Sequence, residues 1–170
     1  NRARQTLEQC ARSLYDDWYT YEAPGETYYY GPAHMHVAAL MAEGATGKSW
    51  SAIFADEVVS PLALHPDTAY TVSGPDNPRH PGGIPTTGES YATFVRAQLD
   101  GSYLADSLDA LAVDRTPSGE VEIAYSPLEV ADLEWHYGLG VWRECPEAEW
   151  DEACDDHVRI SSPGAFGFYP

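Results

Sequence analysis

Residues Tyr28 to Gly47 read Tyr-Tyr-Tyr-Gly-Pro-Ala-His-Met-His-Val-Ala-Ala-Leu-Met-Ala-Glu-Gly-Ala-Thr-Gly. An aromatic cluster meets a sharp break at Gly31-Pro32, and a helix must start at once. Pro suits the first helical turn because its missing N–H has no intrahelical partner there. Val37, Leu40, Met41 and Gly44 fall at i, i+3, i+4 and i+7, which predicts one apolar, small face. The break leaves the Tyr30 phenol at the mouth of a helix N-terminus. Read from the pattern alone, Tyr30 is an aromatic anchor ahead of a core helix.

A chain of 170 residues has the length of one ordinary domain and can bury a core. It begins at Asn1 rather than Met, and so reads as a processed or excerpted piece. No apolar run is long enough to span a bilayer. The formal net charge of −18 argues against nucleic acid and anionic membranes as partners, since both reward Lys and Arg.

Three cysteines are present. Cys145 and Cys154 flank a short acidic loop, which can close as a disulfide or leave two thiols. A disulfide there favours an exported protein, secreted or periplasmic. Cys10 is either a buried helix thiol or paired outside this chain. No second Cys or His pair sits at zinc-ligand spacing, so neither metal nor cofactor is expected. His34 and His36 lie about 200° apart around a helix and do not face one point. His136, beside Tyr137, reads as a strand-edge polar residue.

Along the chain, Thr6 to Trp18 predicts a helix. Thr6 and Gln9 make a capping box, and Leu7, Cys10 or Ala11, and Leu14 make its stripe. Pro24-Gly25 is a turn. A helix covers Ser49 to about Ser60 with Trp50, Ile53, Phe54 and Val58 on one face, and Pro61 stops it. Residues 71–85 form an irregular loop. Thr86 and Glu89 predict a second capping box, before a helix facing inward through Tyr91, Phe94, Val95 and Leu99. Leu104 to Ala112 is a shorter helix, and Val121 to Tyr125 a short strand. Tyr137 to Trp142, His157 to Ser162 and Phe166 to Tyr169 read as strands. The chain stops at Pro170 inside what would be sheet, and two or three ragged strands cannot complete one.

These residues resemble the serine beta-lactamase and penicillin-binding-protein superfamily, in its class C and esterase-like branch. There a Tyr-Ser-Asn motif precedes an apolar helix ending in Glu-x-x-Thr-Gly, and Glu43, Thr46 and Gly47 end this helix in that register. Counting back places Tyr30-Gly31-Pro32 on Tyr-x-Asn, with Pro32 in place of the Asn. Pro24-Gly25 is similar to the turn that leads into the family's Tyr motif, and Leu62-Ala63-Leu64, Gly82-Gly83-Ile84-Pro85-Thr86-Thr87 and Tyr137-Gly-Leu-Gly-Val-Trp142 are similar to later family segments. The resemblance runs over roughly residues 5–170.

It implies an α/β (α+β) fold, with an antiparallel sheet and a helical lobe, incomplete in this chain. Residues 1–134 would be mainly helical lobe, and 135–170 would be strands returning to the sheet. The family's Ser-x-x-Lys nucleophile motif is absent, since the only Lys is Lys48 and Ala45 lies three residues before it. The resemblance therefore implies a nucleophile on an N-terminal segment of the same protein, upstream of Asn1. Tyr30 would be the general acid/base. The third motif would fall at Ser162-Pro163-Gly164, with Ser162 replacing a cation, Gly164 matching, and the Ala165 N–H as an oxyanion donor. The implied partner is a small-molecule or peptide-like acyl substrate. Pro32 lacks the side-chain amide and Ser162 the charge, so a non-catalytic binding or structural homologue is the alternative reading. A third is an acidic cation-binding module.

Overall fold

The computed structural model describes residues 4–17, 23–74, 76–145, 150, 154 and 157–162. The chain divides into two compact units, one from 1–19 and 31–103, the other from 20–30 and 104–170.

The first unit is built on α1 (Leu7–Asp17) and α2 (Ala33–Thr46). The capping box forms reciprocally: the Thr6 N–H donates to Gln9 Oε1 (3.1 Å) and the Gln9 N–H to Thr6 Oγ1 (3.2 Å). Leu7, Cys10, Ala11 and Leu14 are all buried, so the predicted stripe holds and Cys10 is a buried free thiol. α1 packs on α2, and the predicted face of α2 is not its buried one. Ala39 is the buried residue there, while Val37 is 39 % and Met41 69 % exposed. Alanines surround the larger apolar residues of α2, so its periodicity does not select one side. α2 ends at Gly47, whose left-handed φ of 71° lets its N–H reach the Glu43 carbonyl.

The Glu43 carboxylate accepts the Trp50 N–H (2.7 Å), tying the end of α2 to the start of α3 (Trp50–Phe54). Ser49 caps α3, accepting the Ala52 N–H. The helix widens into a π-turn over Ala55–Val59 before Pro61. Strands β2 (Val72–Gly74) and β3 (Asn77–Pro78) pair antiparallel. At Gly74 a Cβ would lie 2.5 Å from the Gln5 carbonyl oxygen, so only glycine fits beneath the approach to α1. α4 (Gly88–Leu99) is capped by Thr87, one residue later than predicted, because Thr86 instead bonds Thr68 (3.0 Å). Leu99, predicted inward, is 83 % exposed at the helix end.

The second unit carries α5 (Ala105–Ala112) and the short sheets. β1 (Thr27–Tyr29) pairs with β4 (Glu122–Tyr125) in parallel. The long connection between them permits a parallel pair, which no hairpin could make. β5 (His136–Tyr137), β6 (Trp142–Glu144) and β7 (Arg159–Ser161) form an antiparallel sheet in that order. Its register sets Tyr137 opposite Trp142 and Trp142 opposite Ser161. The single strand predicted over Tyr137 to Trp142 is a hairpin. The Gly138 N–H bonds the Val141 carbonyl (2.8 Å), and Gly140 takes φ of 80°. Cys145 and Cys154 are joined as a disulfide, with Cα atoms 5.2 Å apart. The strand read over Phe166 to Tyr169 lies outside the described residues.

Candidate functional site

Three successive tyrosines take three different environments. The Tyr28 ring is half-buried against Tyr137 (5.5 Å), and Tyr29 packs on Tyr125 (5.1 Å). Tyr30 follows the end of β1, and its N–H donates to the Tyr125 carbonyl (3.0 Å), extending the β1–β4 ladder by one bond. Its ring lies stacked on Trp142 at 5.3 Å and meets the Tyr137 ring edge-on at 5.7 Å. It keeps 37 % exposure, so its phenol reaches solvent from an aromatic floor.

That floor disfavours ionisation of its own hydroxyls. Burial, then the neighbouring phenols of Tyr137 and Tyr30, push the Tyr28 hydroxyl far above the usual tyrosine range. Burial followed by Tyr30 pushes Tyr137 up to about 12. Both remain neutral, rigid walls across the working pH range.

Trp142 connects Tyr30 to β7. Its ring carries the Tyr30 ring, and its backbone pairs with Ser161. Ser162, the next residue, is exposed just past the strand end. Tyr30 thus stacks on a tryptophan whose backbone pairs with Ser161, the neighbour of Ser162 in sequence. Gly164 and Ala165 lie outside the described residues. Pro32 belongs to the first unit, exposed at the start of α2, where its carbonyl accepts the Met35 N–H and His36 Nδ1. Having no amide side chain, it supplies only this backbone acceptor.

Two histidine environments escaped the sequence reading. His36 turns from exposed His34 towards His80, with ring centres 5.0 Å apart. His80 is buried among His36, Trp50 and Tyr70. Burial first, then the His36 imidazole, lowers the His80 pKa to about 4, with the Pro78 carbonyl acting weakly in the opposite sense.

His136 opens β5, an outer strand of its sheet, yet it is only 6 % exposed. Its Nδ1 lies 2.5 Å from Asp114 Oδ2 and its Nε2 2.9 Å from Ser118 Oγ. The Trp150 ring covers the imidazole face at 3.7 Å. No local pattern announces this set, because Asp114 and Ser118 lie 22 and 18 residues from His136. Among the described residues, no three His, Cys, Asp or Glu side chains gather as a metal site.

No sequence-family model matches the chain, and no curated protein matches it. Its structure superposes on that of a "putative beta-lactamase from Bacteroides dorei DSM 17855" with a TM-score of 0.64 and 25% identity. The match covers 87% of this chain and 46% of the other, so the chain spans about half the length of that protein. A "D-stereospecific amidohydrolase from Streptomyces sp." superposes more loosely, with a TM-score of 0.45 and 18% identity over 72% of this chain and 41% of that one. That second likeness carries no weight. By its fold, this chain is similar to part of the α/β domain of the serine beta-lactamase and penicillin-binding-protein superfamily.

Proposed function

We propose that the chain is part of a serine hydrolase of this superfamily, esterase- or peptidase-like, working through an acyl-enzyme. Its Ser-x-x-Lys nucleophile and base would come from a segment outside the present sequence. The carrying observation is the placement of Tyr30, half-exposed on Trp142, one ladder step from the segment that the third motif would occupy. A phenol there can pass a proton to or from the leaving group. The segment from Ser162 to Ala165 would line the substrate, with Gly164 allowing close approach and the Ala165 N–H serving as half of the oxyanion hole.

Two substitutions shape the substrate. Pro32 removes the amide that would grip a peptide bond, and Ser162 removes the charge that would hold a carboxylate. Simple esters and small acyl groups lose least from both changes. The same substitutions favour a second reading, a non-catalytic homologue used for binding. The Cys145–Cys154 disulfide supports export to an oxidising compartment. Among the described residues, no helix is long and apolar enough to cross a membrane.

The test is labelling of the full-length protein with a fluorophosphonate or penicillin probe, followed by mass mapping. A labelled Ser in a Ser-x-x-Lys motif, acylated about 10²-fold or more slowly in Tyr30→Phe, is the expected outcome. A folded protein with no label on such a serine supports the non-catalytic reading instead.

A further inference from the structure

We propose that Asp114, His136 and Ser118 form a second acyl-transfer site, complete within this chain and independent of Tyr30. The spacing is that of a nucleophile, a base and an orienting acid. Ser118 Oγ is 2.9 Å from His136 Nε2, and His136 Nδ1 is 2.5 Å from Asp114 Oδ2. An ionised carboxylate only accepts hydrogen bonds, so Nδ1 carries the proton of the neutral imidazole. Nε2 is then the acceptor, and the Ser118 hydroxyl points its proton at it. That direction is the one general-base activation requires.

The supporting contacts hold the acid and base still. Asp114 Oδ1 accepts the Thr116 N–H (2.9 Å), and the Arg143 guanidinium stands 3.8 Å from Oδ2. The same Arg143 lies over the Trp150 ring that covers the imidazole. Thr116 Oγ1 accepts the Tyr137 N–H (2.8 Å), pinning the 114–118 loop to β5. His136 is buried, yet Ser118 is exposed on a turn. A serine recruited only to satisfy a buried histidine has no need to face solvent.

The ligand class is a small ester or activated acyl group, which an exposed turn can meet without a deep pocket. Ser118 Oγ bonds to the acyl carbon and its proton passes to Nε2. The carbon–oxygen bond to the leaving group breaks, and the departing alkoxide takes that proton. Water then attacks the acyl-serine through the same base, releasing the acid and restoring Ser118.

The test uses the full-length protein, in which mass mapping separates Ser118 from any other labelled serine. It is treated with a fluorophosphonate and with p-nitrophenyl acetate, and the adducts are mapped by mass. The expected result is phosphonylation of Ser118, with fluoride released, and no adduct at that position in Ser118→Ala. Labelling should slow by about 10²-fold or more in His136→Gln, measured where melting shows that the variant is folded. Should His136→Gln unfold, Asp114→Asn replaces it, and the same slowing is expected there. A folded chain with no adduct at Ser118, or one whose adduct forms equally fast in the histidine and aspartate variants, overturns the proposal. Either result leaves the Tyr30 reading standing, because that reading needs a different serine.

Discussion

Acidification should destabilise the first unit through His80. Its pKa falls from 6.5 in an unfolded chain to about 4 in the fold. Between those values the unfolded chain binds a proton that the folded chain refuses, so stability rises with pH across that window and falls as pH drops through it. Above about pH 7 the imidazole is neutral in both states and the linkage fades. From about pH 8 to about pH 5 the linkage costs about 2 kcal/mol, approaching about 3 kcal/mol below pH 4. Burial explains most of this, and the His36 ring at 5.0 Å adds to it. The assay is urea unfolding at both pH values, followed by tryptophan fluorescence, since Trp50 packs on His80 at 5.4 Å. His80→Phe keeps an aromatic ring in the cluster and removes the titration. Its absolute stability can shift either way, but the difference between the two pH values should shrink by about 2 kcal/mol. An unchanged difference in His80→Phe would refute the assignment and move the acid sensitivity elsewhere.

Three further perturbations probe the framework. Replacing both Cys145 and Cys154 with Ala should cost about 2–3 kcal/mol, read from denaturant midpoints, and in the unfolded wild type only Cys10 should react with a thiol reagent. Gly138→Ala would drive a Cβ into the Leu111 backbone carbonyl and should destabilise by about 1–3 kcal/mol, whereas Gly88→Ala meets open space and should be close to neutral. Thr6→Ala removes the acceptor of the Gln9 N–H and should cost about 1 kcal/mol, with faster amide exchange at the first turn of α1.

The elements legible in sequence are those whose partners are near neighbours. The Thr6–Gln9 box and the Leu7, Cys10, Ala11 and Leu14 stripe depend only on helical spacing, and both formed. Cys145 and Cys154 enclose a loop short enough to close, and they closed. The family likeness was legible through Glu43, Thr46 and Gly47. The structure gives two of these a local reason: Glu43 ties α2 to α3, and Gly47 is the left-handed helix stop. Spacing failed where several patterns fit equally. α2 is small and apolar on more than one side, so Ala39 rather than Val37 or Met41 is buried. Thr86 and Thr87 are equivalent as caps until Thr68 claims one of them.

By itself, then, the sequence determined the helices, the Thr6–Gln9 cap, a cysteine loop short enough to close and the family likeness, because each rests on contacts within a few residues or on motif order. Only the tertiary structure decided that Tyr30 lies on Trp142, that Tyr137 and Trp142 face each other across a hairpin, and that His80 is buried. It also brought Ser118, His136 and Asp114 into one hydrogen-bonded line. Those arrangements join residues many positions apart, and a separation in sequence carries no information about distance until the chain has closed its loops.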